Sequence, residues 1–198
     1  MKIIGITGGV GAGKTTVISE IKKLCNARFI IADELAKELQ LPGKACYEKI
    51  VNLLGEDILS AGKNSAIDNK KMAGKIFSNN GYLSAVNEII HPAVKEYILD
   101  FIENEKNIKK SDYIFIEAAL LIEDGYDEIC DQMWYIYADE QIRIDRLRKS
   151  RGYSLEKCHS IMKSQNSDAV FRRYCKFVIN NNGDLEETIS DIKRALEG

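Results

Sequence analysis

Residues Gly8-Gly9-Val10-Gly11-Ala12-Gly13-Lys14-Thr15 fit the pattern G-x-x-x-x-G-K-[ST] without a mismatch. Glycines at this spacing let the backbone curl until several main-chain N–H groups converge on one anion. A helix starting at the lysine adds the positive end of its dipole. The expected cradle is Gly8, Gly11, Ala12, Gly13, Lys14, Thr15 and Thr16. Lys14 should reach the β- and γ-phosphates of a nucleoside triphosphate, and the Thr15 hydroxyl should ligate Mg²⁺. Triphosphate binding is therefore the first chemistry predicted, whether the phosphate is then transferred or read as a switch.

Two carboxylates and a run of arginines could act on such a ligand. Asp33 follows the apolar run Phe29-Ile30-Ile31, and Glu117 follows Tyr113-Ile114-Phe115-Ile116. Asp33 is the better group to position and deprotonate an attacking hydroxyl, while Glu117 suits a metal ion or the donor nucleotide. Asp33 would also serve as an N-cap for a helix over residues 34–39. Arg143, Arg146, Arg148, Lys149 and Arg151 crowd one predicted helix, with Asp145 the only acid among them. Phosphoryl transfer spreads negative charge over equatorial oxygens, and arginines on a closing lid can neutralise it. A charged face that merely meets solvent is the competing explanation. His91, just before Pro92, is a candidate substrate contact, although a lone histidine is more often structural.

These groups are far apart in the chain, so a fold must gather them. Lys2–Thr7, Phe29–Ile31, Tyr113–Ile116, Met133–Tyr137 and Phe177–Ile179 are continuous apolar runs, the pattern of parallel strands covered on both faces. Helical stretches between them predict an α/β fold: a five-stranded parallel sheet flanked by helices. Such sheets bind ligands at the carboxyl edge of the strands. The stretch between the second and third strands is far longer than one crossover helix requires. Within it, residues 47–54 and 70–77 have helical spacing, and Pro92 is placed where a first helical turn would begin. The expected organisation is a core of residues 1–40 and 106–198, a lid at about 139–165, and a helical acceptor-binding insertion at 41–105. Near the end, Asp184 should cap a helix with an apolar stripe of Leu185, Ile189, Ile192 and Leu196.

Composition narrows the classes. The chain has 198 residues, 45% hydrophobic, enough for one substantial core. Lys and Arg total 28 against 30 Asp and Glu, a balance that argues against nucleic-acid wrapping. Five scattered cysteines without a C-x-x-C pair suggest neither zinc nor a disulfide framework. No leader-like or bilayer-length apolar run is present, so a cytoplasmic protein with no membrane partner is expected. Asn69-Lys70-Lys71-Met72 lacks the aspartate of a guanine-reading Asn-Lys-x-Asp, which leaves a GTPase unsupported.

Taken in order, the motifs resemble the dephospho-coenzyme A kinase family, a P-loop NTPase fold. They are Ile6 to Thr16, Ala32-Asp33, Asn87-Glu88-Ile89-Ile90-His91-Pro92, Leu120-Leu121-Ile122-Glu123, Arg146-Leu147, Gln165 and Val178 to Gly183. The resemblance implies transfer of the ATP γ-phosphoryl to the ribose 3′-hydroxyl of dephospho-CoA; ATP and Mg²⁺ are the expected ligands, and a monomer or weak homo-oligomer is expected. It further implies Asp33 as base, His91 in the acceptor region, Arg146 as a catalytic lid arginine facing ATP, and Asn181 near the adenine. Departures from the family pattern are Ile31, Ala119, Asn69 and Cys175-Lys176, where Asp, Pro, Arg and Ala-Asp are usual. A small P-loop kinase with another acceptor, a nucleoside monophosphate or a small polyol, is the alternative.

Overall fold

The structure is a computed structural model that describes residues 1–62 and 65–198, so residues 63 and 64 of the expected insertion lie outside the described residues. Its contacts divide the chain into two compact units, Met1–Ile30 with Lys109–Gly198, and Ile31–Ile108.

The first unit is built on a parallel sheet. Its strands are β1 (Lys2–Thr7), β2 (Ala27–Ile31, whose last residue falls in the second unit), β3 (Tyr113–Glu117), β4 (Gln132–Tyr137) and β5 (Phe177–Asn180). They stand in the order β2-β3-β1-β4-β5, with β1 at the centre. Ile4, Ile6, Ile114, Ile116, Trp134 and Ile136 are fully buried, which explains why the central strands β1, β3 and β4 read as unbroken apolar runs. Rings of Phe29, Phe115, Trp134 and Phe177 touch in series at centroid distances of 5.2, 5.4 and 6.3 Å.

The helices of this unit are α1 (Lys14–Leu24), α6 (Glu140–Arg151), α7 (Leu155–Lys163), α8 (Asp168–Tyr174) and α9 (Leu185–Glu197). Helix α9 packs on β5 and α1. Its Asp184 cap accepts from the Glu186 N–H at 2.8 Å. The predicted stripe needs correcting at its start: Leu185 is exposed, and the buried side is Thr188, Ile192 and Ala195. The cap holds the first residue at the rim, so burial begins one turn later.

The second unit is helical: α2 (Ala32–Leu39), α3 (Tyr47–Leu54), α4 (Asn69–Ser78) and α5 (Asn80–Ile108). Asp68 caps α4 by accepting from the Lys70 and Lys71 N–H groups. Helix α5 runs unbroken through Pro92, contrary to the expected helix start there. Proline costs one i→i−4 hydrogen bond. The buried line Val86, Val94, Ile98 and Ile102, against which α2, α3 and α4 pack, holds the helix together across that gap. Asp33 is not a cap either. Ile31 occupies the N-cap position, and exposed Asp33 lies inside the first turn of α2, where a carboxylate favours the helix dipole.

Candidate active site

The loop between β1 and α1 is held by its carbonyls. Lys14 Nζ donates to the Gly8 carbonyl at 2.9 Å, and Arg143 Nε donates to the Val10 carbonyl at 2.8 Å. The Ala12 carbonyl accepts from Asn181 Nδ2 at 2.7 Å and from Arg146 Nη1 at 3.3 Å. In a trans peptide the C=O and the next N–H point in opposite directions. Tying back the carbonyls of Val10 and Ala12 therefore turns the N–H groups of Gly11 and Gly13 the other way, while the Gly8 carbonyl faces the Lys14 ammonium. The first-turn N–H groups of α1 lie just beyond and have no i−4 carbonyl to bond. The result is an anion-binding concavity of main-chain donors.

Gly13 shows why its residue type matters. Its φ is 89°, and a Cβ there would come within 2.2 Å of Asn181 Nδ2. Asn181 is itself buried, and its backbone carbonyl accepts from Arg146 Nη2 at 2.8 Å. Asn181, just past the end of β5, and Arg146 on α6 thus brace the loop from elements remote from it in sequence.

Lys14 Nζ also lies 3.5 Å from Glu117 Oε1 at the end of β3, and Glu117 is buried. A half-buried ammonium so placed is drawn forward into the concavity where phosphate charge would lie. The exposed Thr15 hydroxyl and the Glu117 carboxylate are hard oxygen donors, the kind Mg²⁺ takes alongside nucleotide phosphates. Thr16 follows, also exposed, in the same first turn of α1.

The basic run separates into two sets. Arg143 and Arg146, three residues apart and so on one side of α6, turn toward the loop, while Arg148, Lys149 and Arg151 are exposed. Burial pulls the Arg143 guanidinium below its ordinary pKa. Its hydrogen bonds to Val10 and Gln165 offset part of that desolvation cost. Beside Arg143 opens a pocket of about 510 Å³ lined by Tyr135, Tyr137, Gln165 and Asp168 among others. Residue spacing did not point to Tyr135 and Tyr137; their alternation on a buried strand looks like core.

The first unit therefore brings together Gly8, Gly11, Ala12, Gly13, Lys14, Thr15, Thr16, Glu117, Arg146 and Asn181. Asp33 and His91 belong to the second unit, Asp33 at the start of α2 and half-buried His91 in the middle of α5. Among the described residues no group of three His, Cys, Asp or Glu side chains could hold a metal, and no helix is long and apolar enough to cross a membrane. All five cysteines are free thiols.

A P-loop after the central strand of a 2-3-1-4-5 parallel sheet, with arginines arriving from the helix after β4, defines the class of P-loop nucleoside-triphosphate-binding folds. The family model for dephospho-CoA kinase matches residues 2–187. A dephospho-CoA kinase of Fusobacterium nucleatum subsp. nucleatum is 33% identical over 197 residues, covering 98% of this chain and 97% of that one. A Thermus thermophilus protein of known crystal structure aligns with a TM-score of 0.82 at 23% identity, over 99% of this chain and 96% of its own. The dephospho-CoA kinase from Campylobacter jejuni aligns at 0.73 and 21%, over 98% and 95%; likenesses at such identities speak for the fold. The chain belongs to the dephospho-CoA kinase family.

Proposed function

We propose that this protein transfers the γ-phosphoryl group of ATP to the ribose 3′-hydroxyl of dephospho-CoA, giving coenzyme A and ADP, the last step of coenzyme A synthesis. Family membership supports the acceptor. The observation that carries the donor half is the loop itself, with the Val10 and Ala12 carbonyls tied back and Lys14 held between the Gly8 carbonyl and Glu117.

In this reading the acceptor oxygen attacks the γ-phosphorus as the bond to the β–γ bridging oxygen breaks, and its proton passes to Asp33. Main-chain N–H groups of Gly11, Gly13, Lys14 and Thr15 hold the phosphates, and the Lys14 ammonium meets the charge moving toward the bridging oxygen. Arg146 uses two of its five donors on the backbone and keeps the others for the nucleotide. Asn181 lies at the nucleotide's base end of the site. His91 contacts the acceptor. Thr15 and Glu117 are the residues to hold Mg²⁺, which supplies charge neutralisation on the phosphates.

The test is steady-state ADP release with ATP, Mg²⁺ and purified dephospho-CoA beside a panel of nucleoside monophosphates and polyols, followed by locating the new phosphate. Dephospho-CoA should lead in kcat/KM by at least about a hundredfold. A nucleotide or polyol that matches it would transfer the assignment to another small-molecule kinase.

A further inference from the structure

We propose that Gln165, acting with Arg143, is a positioning residue: its side-chain carbonyl latches the arginine-bearing lid segment onto the phosphate loop at Val10 and so sets the affinity for ATP. This deepens the kinase reading and rests on it.

Val10 is gripped at every group it has. Its N–H donates to Gln165 Oε1 at 2.9 Å, and its carbonyl accepts from Arg143 Nε at 2.8 Å. Arg143 Nη2 donates to the same Gln165 Oε1 at 3.1 Å, which closes a ring of three hydrogen bonds among three residues. The Val10 side chain packs on the buried cluster of Ile144, Leu147 and Cys158, beside Tyr153 and Met162. That cluster spans α6 and α7, so one loop residue is joined to both lid helices and to Gln165, which follows α7.

Gly9 makes room for this arrangement. A Cβ on Gly9 would lie 2.3 Å from Arg143 Nη2, so the guanidinium sits directly against the bare backbone. The consequence for the ligand follows from peptide geometry. Holding the Val10 carbonyl on Arg143 aims the Gly11 N–H away from Arg143 and into the phosphate concavity. Without the latch, that peptide can rotate, and part of the ATP binding energy must go into ordering it.

Gln165 enters this ring only as a double acceptor. Gln165→Glu keeps an accepting oxygen, and its added charge faces Arg143. Gln165→Met keeps the length and removes the acceptor. Equilibrium binding of ATP to each full-length variant, with thermal unfolding measured alongside, separates the roles. Gln165→Met should weaken ATP about tenfold, while Gln165→Glu stays within about threefold of the parent, both unfolding within a few degrees of it. Saturating ATP should restore most of the kcat of Gln165→Met, since the latch orders the loop before chemistry. Equal weakening by both variants, or none by either, overturns the proposal. If Gln165→Met unfolds early, the Gln165→Glu value alone decides, because loss of ATP affinity there is incompatible with an acceptor role. Failure of the parent protein to phosphorylate dephospho-CoA would count against the kinase reading instead, leaving the ATP comparison intact.

Discussion

Adding one methyl group at Gly13 tests whether the loop's backbone path is imposed by its neighbours. Alanine at a φ of 89° carries the left-handed penalty, about 1–2 kcal/mol. Its Cβ would also stand 2.2 Å from Asn181 Nδ2, and buried Asn181 is itself bonded to the Ala12 carbonyl at 2.7 Å. Moving that amide aside forfeits the bond, about another 1–1.5 kcal/mol. The sum is a loss of roughly 2–3.5 kcal/mol for Gly13→Ala. Gly152 supplies the control. Its φ is 64°, in the same region, and a Cβ there meets nothing within 4 Å among the described residues. Gly152→Ala should therefore cost only the backbone share, about 1–2 kcal/mol. Urea unfolding followed by Trp134 fluorescence, with unchanged m-values, measures both. ATP binding to Gly13→Ala should also fall at least about tenfold, because the displaced loop misaims its donors. If the two substitutions cost the same, Asn181 does not crowd the loop and the account of the brace is wrong.

Lys14→Ala should abolish phosphoryl transfer, read as ADP release at saturating substrates, because the γ-phosphate loses its charge partner; near-normal kcat/KM would contradict the assignment. Asp33→Ala should bind ATP almost normally and lose most of its turnover, so an unchanged kcat would remove Asp33 as the base. Burial, before neighbouring acidic groups where present, pushes the Cys130 and Cys175 thiols and the Tyr126 phenol up to about 12, from 9.0, 9.0 and 10.0. Above pH 9 the unfolded chain gives up these protons first and binds fewer than the folded one, so stability is full below pH 9 and declines toward pH 12. Urea midpoints that rise over that range would refute the burial of these groups.

Much of the site was legible because its chemistry is local. A phosphate loop needs its glycines, lysine and threonine consecutively, since each acts through backbone next to its own Cα. The three central strands were legible because two-sided burial demands unbroken apolar runs such as Tyr113–Ile116. The family's ordered motifs, from Asp33 to Gln165, were equally readable as residues in line. Helix α5 was not, since Pro92 reads locally as the first turn of a new helix, and only packing along Val86, Val94, Ile98 and Ile102 carries one helix through it.

From residue order alone came the triphosphate loop, the parallel α/β core, and the presence of helices between the second and third strands. Tertiary structure alone decided that Arg143 joins Arg146 at the loop while Arg148 and Arg151 meet solvent. It also decided that Asn181 braces Ala12 across 169 positions and that Gln165 holds Val10 across 155. The reason is physical: a hydrogen bond between residues so distant leaves no periodicity or spacing in the chain, and it exists only once the strands have brought its two ends together.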